Sequence, residues 1–118
     1  MSLHDLETAY SRGFQFRCDG RYREARDEFQ RILNIDPHHL EARWQMGLIQ
    51  GFEGDFEGSI SSLQGLVSDH PTAIQPRYDL AMSQQMLGMD EDAVANFIEI
   101  LRLDPSHENA QKQLSYYQ

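Results

Sequence analysis

The chain repeats a pattern of residues at a fixed interval of 34 positions. Each interval carries a proline, a glycine, two small residues and two large apolar residues at matching places. The residues that share a place are Pro37, Pro71 and Pro105; Gly20, Gly54 and Gly88; Gly13, Gly47 and Ala81; Ala25, Ser59 and Ala93; Phe29, Leu63 and Phe97; and Ile32, Leu66 and Ile100. A period of a few tens of residues is typical of stacked supersecondary units. The chain is therefore predicted to be a repeat array.

Within the first interval, the spacing of apolar residues predicts two helices. Residues at steps of three and four share one helical face, and this face holds Leu6, Ala9, Gly13 and Phe16. A capping box over residues 2–5 predicts a start near Leu3, and Asp19-Gly20 predicts its end. The second helix is predicted over residues 21–35, ending before Asp36-Pro37. Its buried stripe is predicted to be Tyr22, Ala25, Phe29, Ile32 and Leu33.

The small residues are expected where two helices of one unit cross closely, because a larger side chain would separate the axes. The second interval departs most from the pattern: Gln50 replaces an aromatic residue, and Gly51, Gly58 and Gly65 weaken its helices. It is predicted to be the least stable unit, held by its neighbours. Residues 108–118 are predicted to form a capping helix that closes the open end of the array.

The series Gly13, Phe16, Gly20, Ala25, Phe29, Ile32 and Pro37 resembles the tetratricopeptide repeat, a helix–turn–helix unit of 34 residues. The resemblance implies an all-α solenoid, a superhelix of three helix–turn–helix repeats with a C-terminal capping helix. It places one domain over residues 1–118, with repeats at 6–39, 40–73 and 74–107 and the capping helix at 108–118.

Composition limits the partners of this array. The net charge is −9: the first repeat is neutral, and the other two carry the acidic excess. An acidic surface repels phosphate backbones, so no nucleic acid is expected as a partner. No apolar run reaches the length that crosses a bilayer, so no membrane partner is expected either.

A cytoplasmic location is expected because no secretory signal opens the sequence. Cys18 is the only cysteine, which rules out an internal disulfide.

The resemblance implies that the first helix of each repeat lines a concave groove. The implied groove residues are Glu7, Tyr10, Phe14, Arg17 and Cys18 in repeat one; Glu41, Trp44, Leu48, Gly51 and Phe52 in repeat two; and Gln75, Tyr78, Met82, Gln85 and Met86 in repeat three. Periodicity indicates that the aromatic and apolar members lie off the core stripe. An exposed strip of this kind usually marks a binding site, although the slot of Tyr10, Trp44 and Tyr78 is open to a packing role as well.

One class within the family grips a C-terminal carboxylate with Lys, Asn and Arg side chains. At those places this sequence has Tyr10, Phe14, Gln45, Gln75 and Asp79, so that binding mode is not expected here. The apolar groove with its acidic surroundings instead favours a basic partner, either an amphipathic helix or an extended peptide.

No motif predicts catalysis, a metal site or a cofactor. His38, His39, His70 and His107 fall beside the repeat-boundary prolines and are expected as exposed turn residues. No histidine pair at helical spacing supports a metal, and no glycine-rich phosphate loop is present. The leading hypothesis is a non-enzymatic scaffold for protein–protein interaction. Two alternatives stay open: a self-assembling unit, for example a homodimer, and a regulatory fragment of a larger enzyme.

Overall fold

The computed structural model describes residues 2–118, and these residues form seven α-helices without a strand. The helices are α1 Leu3–Cys18, α2 Tyr22–Ile35, α3 Leu40–Phe52, α4 Phe56–Asp69, α5 Ile74–Met86, α6 Asp90–Leu103 and α7 Glu108–Ser115. From α2 onward, equivalent helices begin 34 residues apart. The predicted all-α helical repeat architecture is confirmed.

The helix boundaries follow from local chemistry. Ser2 caps α1, since its hydroxyl accepts from Asp5 N–H and the Asp5 carboxylate accepts from Ser2 N–H; this capping box starts α1 at Leu3 as predicted. The turn between the two helices of each pair contains a glycine with positive φ, +77° at Gly20, +88° at Gly54 and +73° at Gly88. This conformation is open to glycine at little cost.

The helices pack mainly with their chain neighbours. The pairs α1–α2, α3–α4 and α5–α6 make the largest contacts, and each pair joins the next through α2–α3, α4–α5 and α6–α7. In addition, α1 touches α3 and α3 touches α5. The odd-numbered helices therefore form one layer of an elongated molecule measuring 48 × 27 × 21 Å.

The core consists of three apolar clusters, one around each helix pair. Phe29, Leu63 and Phe97 occupy the same place in successive repeats and are all buried. A Cβ atom built on Gly13 would lie 2.8 Å from Phe29 Cε1, and one on Gly47 would lie 3.0 Å from Leu63 Cδ2. The small residues therefore allow the close crossing that the sequence predicts, with a large side chain from the partner helix filling the space.

Some predicted boundaries and burials differ in detail. The last helix ends at Ser115 rather than continuing to Gln118. The stripe residues Leu6, Phe16, Tyr22 and Leu33 are only partly buried and pack around the first cluster. They lie toward the edge of the helix–helix contact, where periodicity alone cannot separate full from partial burial.

The irregular Gln50 finds a partner across its helix pair. Its Oε1 accepts a hydrogen bond of 2.6 Å from Ser62 Oγ. At the equivalent place in the third repeat, Gln84 Oε1 accepts one of 2.8 Å from Asn96 Nδ2. Polar residues thus replace an apolar contact in matched pairs, so that neither buried oxygen loses its hydrogen bond.

We predict that Gly65→Ala stabilises the protein by about 0.5–1 kcal/mol. Gly65 lies inside α4, where glycine costs that much relative to alanine. An added Cβ would meet only Arg43 Nη2, at 3.5 Å. Chemical denaturation at fixed pH measures the effect. The control Gly54→Ala should destabilise instead, because its φ of +88° is strained for alanine. A destabilised Gly65→Ala would contradict the prediction.

Candidate functional site

All fifteen residues predicted to line the groove lie on α1, α3 and α5. We call the surface of these three helices the odd-helix face. Phe14 and Phe52 are exposed, at 40% and 51% of their surface, and the other exposed members are Glu7, Cys18, Glu41, Gln75 and Met86. Eight are half-buried: Tyr10, Arg17, Trp44, Leu48, Gly51, Tyr78, Met82 and Gln85. The expected strip of exposed aromatic side chains is therefore smaller than the sequence indicated.

The shared slot of Tyr10, Trp44 and Tyr78 contributes to packing. The Tyr10 ring lies 5.7 Å from that of Phe29, and the Tyr78 ring lies 5.9 Å from that of Phe97. Trp44 packs against the cluster of the second helix pair. These rings touch the core on one side and keep part of their surface in contact with solvent on the other.

The polar ends of two of these aromatic residues join neighbouring odd-numbered helices. Tyr10 Oη accepts from Gln45 Nε2 at 3.4 Å, and Trp44 Nε1 donates to Asp79 Oδ2 at 2.8 Å. The two pairs occupy equivalent places in successive repeats. These hydrogen bonds link α1 to α3 and α3 to α5, and they fix how adjacent repeats sit against each other.

Asp79 is a partly desolvated carboxylate. Burial raises its pKa above the ordinary 3.8, and the hydrogen bond from Trp44 offsets part of that shift. A carboxyl with a raised pKa binds its proton more tightly in the folded than in the unfolded chain. Its contribution to stability therefore falls as the pH rises from its unfolded pKa through its folded pKa, and the loss is complete above the folded value.

We predict that Asp79→Asn stabilises the protein at pH 7. The amide oxygen can still accept from Trp44, while the desolvated charge is removed. The gain should be up to about 1 kcal/mol, since partial solvent contact screens the charge, and it should shrink as the pH falls toward 4. Thermal unfolding of both proteins between pH 4 and pH 8 tests this. Asp27→Asn, at an exposed place on α2, is the control, and a lower Tm for Asp79→Asn at pH 7 would refute the prediction.

Arg17 lies between two aromatic rings on the odd-helix face. Its guanidinium carbon is 4.8 Å from the ring centre of Phe14 and 5.6 Å from that of Phe52. Phe52 in turn stacks on Tyr22 at 5.9 Å, and Phe14 stacks on Tyr10 at 6.3 Å. We call Phe14, Arg17 and Phe52 the Arg17 site. It joins the end of α1 to the end of α3, and each phenylalanine ring packs against a tyrosine ring.

Arg17 makes no ion pair within residues 2–118, and its buried Nε has no hydrogen-bond partner there. Four of the five other arginines in the first helix pair behave differently, the exception being the exposed Arg23. Arg12 and Arg31 pair with Glu28, Arg21 pairs with Glu24, and Arg26 pairs with Glu53. Arg17 is therefore held by aromatic faces rather than by a carboxylate of its own chain.

An open depression of about 490 Å³ lies beside Tyr10, toward the start of α1. It is lined by Leu3, Leu6, Glu7, Tyr10, Ser11, Asp36, His39 and Glu41. The carboxylates on its walls make it acidic, and Glu41 acts together with burial to raise the pKa of Tyr10. The odd-helix face thus carries an arginine without an ion pair in the described residues, at the Arg17 site, and an acidic hollow toward the start of α1.

Sequence reasoning missed part of the exposed apolar surface. Met86, which it placed in the groove, is 66% exposed, and the adjoining turn also exposes Leu87 and Met89. The sequence contained a signal for this exposed surface, because the turn positions equivalent to Leu87 and Met89 hold charged residues in the other two repeats. Three carboxylates follow directly, Asp90, Glu91 and Asp92, in the first turn of α6.

Two of the four repeat-boundary histidines, His39 and His107, have structural roles that the sequence did not reveal, whereas His38 is exposed as expected and His70 is half-buried. Nδ1 of His39 accepts from Ala42 N–H at 3.1 Å, and Nδ1 of His107 accepts from Ala110 N–H at 3.0 Å. Both residues are half-buried helix caps rather than exposed turn residues.

Within residues 2–118, no three His, Cys, Asp or Glu side chains converge as metal ligands. No helix in that range combines the length and apolarity needed to cross a membrane.

Comparison with known sequences supports the repeat assignment. A family model described as a tetratricopeptide repeat matches residues 41–73, which are the second repeat apart from its first residue. That repeat departs most from the pattern in its glycines and in Gln50, yet it is the part that the model recognises. None of the curated proteins compared matches the chain.

Solved structures share the fold at low sequence identity. The first tetratricopeptide domain of Spaghetti (RPAP3), bound to the HSP90 peptide SRMEEVD, is 16% identical with a TM-score of 0.86 over 98% of this chain and 92% of that one. A mutant O-GlcNAc transferase of Thermobaculum terrenum is 22% identical, with a TM-score of 0.81. That match covers 97% of this chain but 22% of the transferase.

A MamA fragment from Desulfovibrio magneticus RS-1 gives a TM-score of 0.80 at 20% identity, over 94% of this chain and 63% of the fragment. This chain therefore spans less than two thirds of the transferase and of MamA. The likenesses extend along nearly all of its length, whereas the family model covers one repeat. Together they confirm the resemblance to the tetratricopeptide repeat family, and the chain is an all-α solenoid of helical repeats of that kind.

Proposed function

We propose that this protein is a protein-binding module that holds a peptide or amphipathic helix of another protein along its odd-helix face. In this proposal the odd-helix face is the concave groove, and binding involves no chemical reaction. The observation that carries the proposal is the exposure of Phe14 and Phe52 on either side of Arg17. Two aromatic rings in water at neighbouring places offer apolar area that a partner can bury.

The Arg17 site suits binding better than the shared slot of Tyr10, Trp44 and Tyr78. Binding energy concentrates at aromatic and arginine side chains that become desolvated in the complex. Phe14 and Phe52 keep about half of their surface in water, so a partner could still cover them. Both rings rest on other aromatic residues, which limits the side-chain entropy lost on binding. Trp44 and Tyr78 already bury much of their surface against the core.

The charge around the site favours a partner with basic residues beyond its anchor. Glu7 and Glu41 line the hollow next to Tyr10, and Asp79 lies one repeat further along. Repeats two and three carry far more carboxylates than arginines. Lysine or arginine side chains of a peptide would meet complementary charge there, which speeds association and orients the ligand.

The RPAP3 domain, solved with the HSP90 peptide SRMEEVD, shows that a domain of this shape and size can hold a short peptide. The likeness concerns the fold, and it supports the class of function rather than the ligand. This chain lacks the side chains by which one class of the family is implied to grip a C-terminal carboxylate, because Tyr10, Gln45 and Asp79 stand at three of those places. A different peptide chemistry is therefore proposed for this chain.

The proposal predicts that Phe14→Ala and Phe52→Ala each weaken peptide binding by at least about tenfold, since an aromatic anchor contributes 1.4 kcal/mol or more, roughly. Peptides would first be selected from a random displayed dodecapeptide library against the folded protein and then titrated by calorimetry. Ile98→Ala is the matched control, because Ile98 is 55% exposed on α6, outside the odd-helix face. Selected peptides that bind both phenylalanine variants as tightly as the parent, with helicity retained, would defeat the proposal.

A further inference from the structure

We propose that Arg17 is the anchor for an acidic side chain, and that the peptide bound on the odd-helix face places an aspartate or glutamate carboxylate against its guanidinium. This inference rests on the proposed function and specifies the chemistry of its ligand. It is carried by three features of the Arg17 site: the aromatic sandwich, the absence of an internal carboxylate partner within residues 2–118, and the continuation of apolar surface on both sides.

Two aromatic rings surround the guanidinium. Its central carbon lies over the Phe14 ring at 4.8 Å and over the Phe52 ring at 5.6 Å. A guanidinium donates its hydrogen bonds in its own plane, and its outer edge can grip a carboxylate with two parallel bonds. We infer that contact with both rings restricts the orientations of these donors before a ligand arrives. Lysine, whose charge is a point without a plane, would not be held in this way.

The chain leaves this arginine unpaired although it has 19 carboxylates. Of the five other arginines of the first helix pair, Arg12, Arg21, Arg26 and Arg31 each contact a glutamate, and Arg23, which has no ion pair in the described residues, is exposed to water. Arg17 is half-buried, and its Nε is fully covered without an acceptor in the described part of the chain. A partly desolvated cation without a hydrogen-bonding partner is costly. A ligand cannot reach the covered Nε, but the terminal nitrogens of Arg17 make no ion pair in the described part of the chain. A carboxylate from outside can therefore supply an acceptor at those nitrogens.

The surroundings select a carboxylate within a peptide chain. Phe14 on α1 and Phe52 on α3 both lie beside the Arg17 guanidinium, so a ligand that buries both rings must contact two helices around its acidic residue. A phosphate carries a larger negative charge, and the acidic hollow beside Tyr10 with the net charge of −9 opposes it. The expected ligand has one acidic residue at its centre, apolar neighbours, and basic residues further out.

The test uses peptides selected from the displayed library, in which no free C-terminus is available. We expect the selected sequences to share an aspartate or glutamate next to an aromatic or large aliphatic residue. Arg17→Gln should weaken the binding of such a peptide by about 10- to 100-fold, the usual worth of a hydrogen bond to a charged group. Arg23→Gln is the control, because Arg23 is exposed on α2 and should not matter.

A charge exchange gives the sharper readout. The peptide with glutamine in place of its acidic residue should bind the parent protein weakly and should lose little more on Arg17→Gln. Arg17→Glu should reject the acidic peptide and regain affinity for the same peptide with lysine at that position. Circular dichroism verifies that each variant retains its helicity.

Two results would overturn the inference and leave the proposed function intact. One is a peptide that depends on Phe14 and Phe52 but binds Arg17→Gln as tightly as the parent. The other is a phosphoserine peptide, or one with a free C-terminal carboxylate at the acidic position, that binds better than its glutamate counterpart. Peptides insensitive to all three residues would overturn the inference and the proposed function together.

Discussion

Phe97→Ala is expected to lower the free energy of unfolding by about 3–5 kcal/mol, the usual range for removing a buried phenylalanine. Phe97 has no exposed surface. It fills the centre of the third cluster, among Ala81, Ala93, Ile100 and Ala110, with the Tyr78 ring against it at 5.9 Å. Most of its fully buried neighbours are alanines fixed on three helices, which are too short to fill the space that the ring leaves.

The loss is large against the roughly 5–15 kcal/mol that stabilises a typical domain. Urea denaturation followed by circular dichroism measures it, and Phe29→Ala, the equivalent change in the first helix pair, should behave alike. Ile98→Ala supplies the matched control on the same helix, since Ile98 is exposed and its truncation should cost little. A Phe97→Ala protein that lost less than about 1 kcal/mol would contradict the core described here.

The second large effect is expected at Gly13, where Val should cost about 1–3 kcal/mol through overpacking. A Cβ at this position would already lie 2.8 Å from Phe29 Cε1 and 3.2 Å from Glu28 Cβ. The γ-methyl groups of valine would extend further into that contact and force α1 and α2 apart. Because α1 carries Phe14 and Arg17 of the Arg17 site, the displacement should weaken peptide binding as well.

Gly13→Ala is the informative companion. Alanine occupies the equivalent place in the third repeat, where Ala81 packs beside Phe97, so one methyl group fits this crossing after a small shift of the ring. The strain and the gain in helix propensity, up to about 1 kcal/mol, should nearly cancel. Denaturation curves of both variants would show the contrast. Equal stability of the Val and Ala variants would mean that the helices are not in close contact at Gly13.

The pattern of small and large residues predicted the fold because repeat proteins are organised locally. Each unit touches only the units next to it in the chain, so a 34-residue period carries the tertiary arrangement as well as the helices. The Gly13–Phe29 crossing and the left-handed Gly20 could therefore be predicted from the sequence. The start of α1 at Leu3 could be predicted as well.

The candidate site could be predicted less completely, because the pattern assigns a residue to a helix but not to a depth. Tyr10, Trp44 and Tyr78 lie on the expected helices, yet their rings reach the core clusters beneath them. Successive residues of a helix are about 100° apart around its axis. Residues at the margin of the apolar stripe can therefore be either buried or exposed. Their burial depends on the neighbouring repeat.

The sequence by itself determined the helix pairs, their period, the glycine turns and the slots of the core, because these follow from local propensities and from contacts between adjacent segments. The tertiary structure alone decided which side chains meet across different helices: Trp44 with Asp79, Gln50 with Ser62, and Arg17 with Phe52. Those side-chain contacts depend on rotamers and on the rotation between successive repeats. Neither quantity is encoded in a spacing of 34 residues.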